Sequence, residues 1–175
     1  MQSVSSQIAK QLETLKVLIV DDEPTMRKVT RSLLLANGVK TIFEANDGIC
    51  GLDAICARAP DIVIVDWEMP GLNGPEFVRI VRSPDSFPYP DLPIIMLTAY
   101  GERSRVVEAV KLGVNEFLLK PVSSAALQAR LISVLTKPRR MIRNGDYYGP
   151  EPRKSANDTV EDINLASSLA GTIIS

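Results

Sequence analysis

Five short apolar runs, separated by segments with helical periodicity, constrain the fold of this 175-residue chain more than any other feature. They are Lys16-Val17-Leu18-Ile19-Val20, the weaker Thr41-Ile42-Phe43-Glu44-Ala45, Asp61-Ile62-Val63-Ile64-Val65-Asp66, Pro93-Ile94-Ile95-Met96-Leu97-Thr98 and Glu116-Phe117-Leu118-Leu119-Lys120. The first, third and fourth are continuously apolar, the pattern of strands covered on both faces. Between them, a helix starts at Pro24, carries Val29 and Leu33 on one face, and closes at Asn37-Gly38, where glycine supplies a left-handed cap. Further helices are expected over 48–58, 75–82, 102–112 and 123–136, the last with Leu127, Leu131, Val134 and Leu135 as its stripe. Strand and helix thus alternate five times. That predicts an α/β fold: a five-stranded parallel sheet, right-handed crossovers and helices on both faces. In such open sheets the ligand site lies beyond the carboxyl ends of the strands.

The flanks read differently. Residues 1–15 carry Ile8, Leu12 and Leu15 at helical spacing, so a short helix is expected before the first strand, in an extension outside the main domain of 16–136. Residues 137–175 read as a mostly irregular tail, its Arg139-Arg140 pair solvated, with Tyr147 and Tyr148 further along. The loop 83–92, with three prolines, is long for a connection and carries no evident role beyond spacing.

Composition excludes several function classes. With no histidine, the sequence holds no Ser-His-Asp triad, no histidine metal site and no histidine kinase or phosphotransfer chemistry of its own. A net charge of −1, from 20 basic and 21 acidic residues, offers no field for nucleic acid or an anionic membrane. No run approaches the ~20 apolar residues of a membrane span, and the N-terminus lacks a secretory core, so the expected location is the cytoplasm. Cys50 and Cys56 match no zinc spacing and read as reduced thiols, buried or half-buried.

Chemistry gathers at the strand ends. The first run ends in Asp21-Asp22-Glu23, the third in Asp66, the fourth in Thr98 and the fifth in Lys120-Pro121. Clustered carboxylates repel one another and need a cation, and an all-oxygen donor set selects magnesium. Asp66 is then a candidate nucleophile, while Thr98 and Lys120 can meet oxygens of a phosphoryl group.

Asp21-Asp22, Asp66-Trp67-Glu68-Met69-Pro70-Gly71, Thr98-Ala99 and Lys120-Pro121, in this order and at these separations, resemble the response-regulator receiver family of two-component signalling. The likeness runs over 16–136 and is nearest to single-domain, chemotaxis-type receivers, including Thr25-Met26-Arg27 and Trp67. It implies a flavodoxin-like (βα)5 fold with strand order 2-1-3-4-5. It also implies Asp66 as phosphoacceptor, and Mg2+ held by Asp21 (through water), Asp22, Asp66 and the backbone carbonyl of Glu68. Thr98 and Lys120 would contact the phosphoryl group, Thr98 and Phe117 would act as the switch pair, and Glu68 and Tyr100 would modulate rate. The implied partners are a sensor histidine kinase or histidine phosphotransfer protein as donor, and a downstream protein target. That target would read the face formed by helix 102–112, the fifth strand and helix 123–136. Lys120-Pro121 is expected to be cis.

Such a protein takes and loses its own phosphoryl group and turns over no external substrate. A DNA-binding regulator is disfavoured because 39 residues after Thr136 show no helix-turn-helix pattern. A phosphohydrolase is disfavoured because Glu68 stands where such enzymes carry a second aspartate. A degenerate receiver acting only as an interaction module remains the alternative, and a homodimer built on Ile8, Leu12 and Leu15 stays open.

Overall fold

The computed structural model describes residues 4–153. Its elements are α1 (Val4–Thr14), β1 (Lys16–Val20), α2 (Pro24–Ala36), β2 (Thr41–Ala45), α3 (Gly48–Arg58), β3 (Ile62–Asp66), α4 (Gly74–Val81), β4 (Ile94–Thr98), α5 (Arg103–Leu112), β5 (Glu116–Leu119), α6 (Ser124–Thr136), β6 (Met141–Asn144) and β7 (Tyr147–Pro150). The first five strands form one parallel sheet of order β2-β1-β3-β4-β5. This is the flavodoxin-like arrangement expected.

Successive side chains of a strand point to opposite faces, so a continuously apolar strand feeds two cores. On one face Leu18, Val20, Val63, Val65, Ile94 and Met96 meet α3, α4 and α5 through Ile55, Phe77, Val78 and Ala109. On the other face Val17, Ile19, Ile62, Ile64, Ile95 and Leu97 meet α1, α2 and α6 through Leu12, Leu34, Leu127 and Leu131. β2 is the weakest run because it is an edge strand, and only its Ala45 is buried.

Caps set the helix starts. Asp47 accepts the Cys50 N–H at the start of α3. Asn73 and Glu76 form a reciprocal capping box at α4, and Ser123 accepts the Ala126 N–H at α6. The first residue of α4 must be glycine. A Cβ on Gly74 would lie 2.6 Å from the Asp66 carbonyl oxygen, so α4 starts directly against the end of β3.

Several expectations are corrected. The inner stripe of α2 is Thr30 and Leu34, one residue out of phase with Val29 and Leu33, and Val29 is exposed. The sheet sets that phase, and two adjacent stripes of α2 are both partly apolar. Leu12 and Leu15 are buried in the chain's own core, so they are not free to form a dimer face. Both cysteines are exposed, because α3 turns Gly48, Gly51 and Ile55 inward instead.

The segment after α6 is not mostly irregular as far as Arg153. β6 and β7 pair as an antiparallel hairpin with Asn144 opposite Tyr147. The Asn144-Gly145-Asp146 turn, with Gly145 at φ 58°, is a strong hairpin signal between two short runs. The hairpin docks at the amino ends of β4 and β5. A Cβ on Gly113 would sit 2.7 Å from the Tyr148 carbonyl oxygen, which shows how closely α5 and β7 approach. Arg139 donates to the Asn115 carbonyl, Arg153 pairs with Glu116, Arg143 pairs with Asp85, and the Tyr148 hydroxyl donates to Asp91. Arg139 is therefore not simply solvated, and the loop 83–92 supplies the hairpin's partners. The remainder of the predicted tail, 154–175, lies outside the described residues.

Candidate functional site

The strand ends bring three aspartates and a lysine together. Asp21 follows β1 and is wholly buried. Its Oδ1 accepts the Glu23 N–H at 2.9 Å, and Arg27 donates to its carbonyl oxygen at 2.8 Å. Its Oδ2 is buried with no hydrogen-bond partner among the described residues, and Lys120 Nζ stands 3.5 Å away. Asp66 closes β3 and is 4% exposed, its Oδ1 3.0 Å from Lys120 Nζ. Asp22 adds a third carboxylate, and the three offer oxygens within 4.8 Å of one another.

The electrostatics follow from this crowding. The Asp66 carboxyl is pushed up to about 6: burial raises it most, Lys120 pulls it partly back, and the charges of Asp21 and Asp22 add to the rise. Burial alone would lower the Lys120 ammonium, but the hydrogen bond and charge of Asp66, with Asp21 behind it, outweigh burial and raise it. One lysine thus faces three carboxylates. The unmatched buried oxygen of Asp21 and the oxygen-only donor set fit a hard divalent cation.

Thr98 ends β4, wholly buried. Its hydroxyl accepts the Tyr100 N–H at 3.1 Å and donates to the Tyr100 carbonyl at 3.3 Å, so it is engaged along its own loop. Lys120 N–H donates to the Thr98 carbonyl at 2.8 Å, tying the end of β5 to that of β4, and Lys120-Pro121 is cis. Phe117, half-buried on β5 opposite Met96, packs against the core on the α3, α4 and α5 face. A cleft lined by Asp22, Asp66, Glu68, Ala99, Tyr100 and Lys120 opens over the site.

Sequence reading missed Arg105. From the first turn of α5 its guanidinium reaches Glu68 at 2.5 Å and lies over two rings, 5.0 Å from the centroid of Trp67 and 4.7 Å from that of Tyr100. The available signal was the pair Arg103 and Arg105 within the first turn of a helix, against the usual preference at the positive end of a helix dipole.

The chain has known relatives. The sequence matches the response regulator receiver domain over residues 17–132. The chain belongs to the response regulator receiver family. This receiver is 34% identical over 125 residues to the chemotaxis protein CheY-3 of Vibrio cholerae, covering 71% of this chain and 95% of that one. It is 37% identical over 122 residues to CheY1 of Helicobacter pylori, covering 69% and 97%. Among solved structures, a putative response regulator from Chloroflexus aurantiacus superposes with a TM-score of 0.65 at 31% identity, covering 70% of this chain and 98% of that one. Vibrio cholerae CheY4 superposes at 0.61 and 31%, covering 69% and 98%. The likeness is therefore to chemotaxis-type receivers, and the family match ends at residue 132, before the β6–β7 hairpin. Receivers are signalling modules that bind Mg2+ at an aspartate cluster, and in this chain Asp21, Asp22 and Asp66 are grouped at the sheet edge. No helix among the described residues is long and apolar enough to cross a membrane.

Proposed function

We propose that this receiver accepts a phosphoryl group on Asp66 from a phosphohistidine of a partner kinase or phosphotransfer protein. The observation that carries this reading is the buried Asp66 carboxylate, 3.0 Å from Lys120 and crowded by Asp21 and Asp22. A carboxylate oxygen of Asp66 bonds to phosphorus, the P–N bond breaks, and its electron pair leaves with the imidazole, forming an acyl phosphate. Asp21, Asp22, Asp66 and the Glu68 carbonyl would hold Mg2+, which when bound supplies positive charge for the crowded oxygens. Lys120 orients Asp66 and offers its ammonium to a phosphoryl oxygen.

Signalling follows from Thr98. To donate to a phosphoryl oxygen its hydroxyl must leave the Tyr100 carbonyl, which moves the loop entering α5. Phe117, half-buried on β5, then turns inward, and the α5–β5–α6 face changes for a downstream protein in the cytoplasm. The names of the relatives place them in chemotaxis, and a chemotaxis-type output is the fitting class here. Turnover of an external phosphate ester is not part of this function.

Trp67, the sole tryptophan, adjoins Asp66 and provides the test. Magnesium should change its fluorescence, acetyl phosphate or beryllium fluoride should change it again, and Asp66→Asn should abolish the second change. A folded protein silent to all three additions would refute the reading.

A further inference from the structure

Resting on the reading of Asp66 as the phosphoacceptor, we propose that Arg105 is a positioning residue that prolongs the phosphorylated state by holding the Glu68 carboxylate at the rim of the cleft. Arg105 sits in the first turn of α5, where a cation opposes the helix dipole, with Glu102 at the N-cap as the acidic residue of that end. Local preference does not account for it, and its tertiary partners do. It bonds Glu68 across 37 residues of sequence and lies over both Trp67 and Tyr100. A flat guanidinium suits this arrangement. It can rest on aromatic faces and still direct an N–H to a carboxylate, which an ammonium cannot do equally well.

The three partners surround the reacting group. Trp67 follows Asp66 directly, while Glu68 and Tyr100 line the same cleft as Asp66 and Lys120. The rings hold Arg105, and Arg105 holds Glu68. Glu68 is thereby kept out of the group of carboxylates formed by Asp21, Asp22 and Asp66. Loss of the phosphoryl group requires a water. Its oxygen bonds to phosphorus, the P–O bond to Asp66 breaks with its electron pair returning to the carboxylate, and the proton leaves with inorganic phosphate. A Glu68 carboxylate released into the cleft can accept a hydrogen bond from that water and align it. Held at the rim by Arg105, it cannot.

The test follows decay of the phosphorylated full chain by phosphate release after loading with acetyl phosphate. Arg105→Ala should speed decay about three- to tenfold, the range expected when one ion pair and two ring contacts are lost together. Arg105→Lys, which keeps the charge but cannot lie flat on the rings while bonding Glu68, should fall between that variant and the parent protein. Adding Glu68→Ala to Arg105→Ala should return decay toward the parent rate, a rescue that a merely structural role of Arg105 would not produce. Unchanged decay in both single variants, or a double variant as fast as Arg105→Ala, overturns the proposal while leaving Asp66 as the phosphoacceptor. A parent protein that takes up no phosphoryl group overturns both.

Discussion

The two ends of the sheet treat a buried charge in opposite ways. At the amino end, Arg82 leaves α4 and is almost wholly buried, and each of its nitrogens has a partner. Nε donates to the Gly113 carbonyl at 2.8 Å, Nη1 to the carbonyls of Pro90 and Leu92 at 2.6 and 2.7 Å, and Nη2 to Asn115 Oδ1 at 2.8 Å. Burial lowers its pKa to about 10. At the carboxyl end, Asp66 is buried to a similar degree, faces two further carboxylates, and shares one lysine with Asp21, whose Oδ2 has no hydrogen bond among the described residues. A buried charge whose partners all come from its own chain serves stability. One left short of partners stores an electrostatic cost that a ligand can relieve.

That contrast can be broken first at Arg82. Arg82→Ala leaves four acceptors, two buried and two part-buried, without this donor and should cost about 3–5 kcal/mol, read as a lower denaturation midpoint, with the Trp67 response to magnesium retained below the transition. A loss under about 1 kcal/mol would mean that water replaces the guanidinium and the amino end is less closed than described.

The carboxyl end should behave in the reverse sense. The Asp66 pKa is raised from 3.8 to about 6 in the folded chain, so its ionised form disfavours folding. The sign follows directly. Below 3.8 both states are protonated and nothing is lost; as pH rises through about 6 the folded state must give up a proton it binds more tightly, and stability falls. In chelator at pH 8, Asp66→Asn should therefore be more stable than the parent by about 1–2 kcal/mol, after allowance for solvent screening. The difference should shrink toward pH 4. Destabilisation at pH 8 would show that Lys120 compensates Asp66 more fully than its geometry indicates.

Gly149 sharpens the comparison on the hairpin side. A Cβ there would lie 2.7 Å from the Gly113 Cα, so Gly149→Val should undock β7 from α5. A stability loss of about 1–3 kcal/mol is expected by denaturation, with the magnesium response intact. The smallest effect belongs to Arg143→Ala. Arg143 and Asp85 form a solvent-exposed pair, and no measurable midpoint shift should follow.

What was legible in the sequence had local periodicity or an end-of-strand position. The continuously apolar Ile62-Val63-Ile64-Val65 run could only be a strand covered on two faces, and a carboxylate directly after it had to lie at the sheet edge. Asp21, Asp22, Asp66, Thr98 and Lys120 were accessible in this way because four strand ends of one parallel sheet face the same direction. Arg105 was not, because its partners lie in other loops and its own helix gives no reason for it. The loop 83–92 looked like spacing because its acceptors serve the Arg82 side chain, whose burial depends on the packed sheet, and the hairpin, which lies far along the chain. The hairpin itself carried a readable signal in Asn144-Gly145-Asp146, set in strands too short and mixed to stand out.

Sequence alone therefore determined the alternation of strands and helices and the set of groups at the carboxyl edge. Side-chain period and strand direction are local properties, and a parallel sheet turns them into position. Tertiary structure alone decided the inner face of α2, the destination of Leu12 and Leu15, the docking of β6–β7 and the pairing of Arg105 with Glu68. Each of these depends on which of several similar surfaces meets a partner far along the chain, and that choice is made by shape and charge after the sheet has formed.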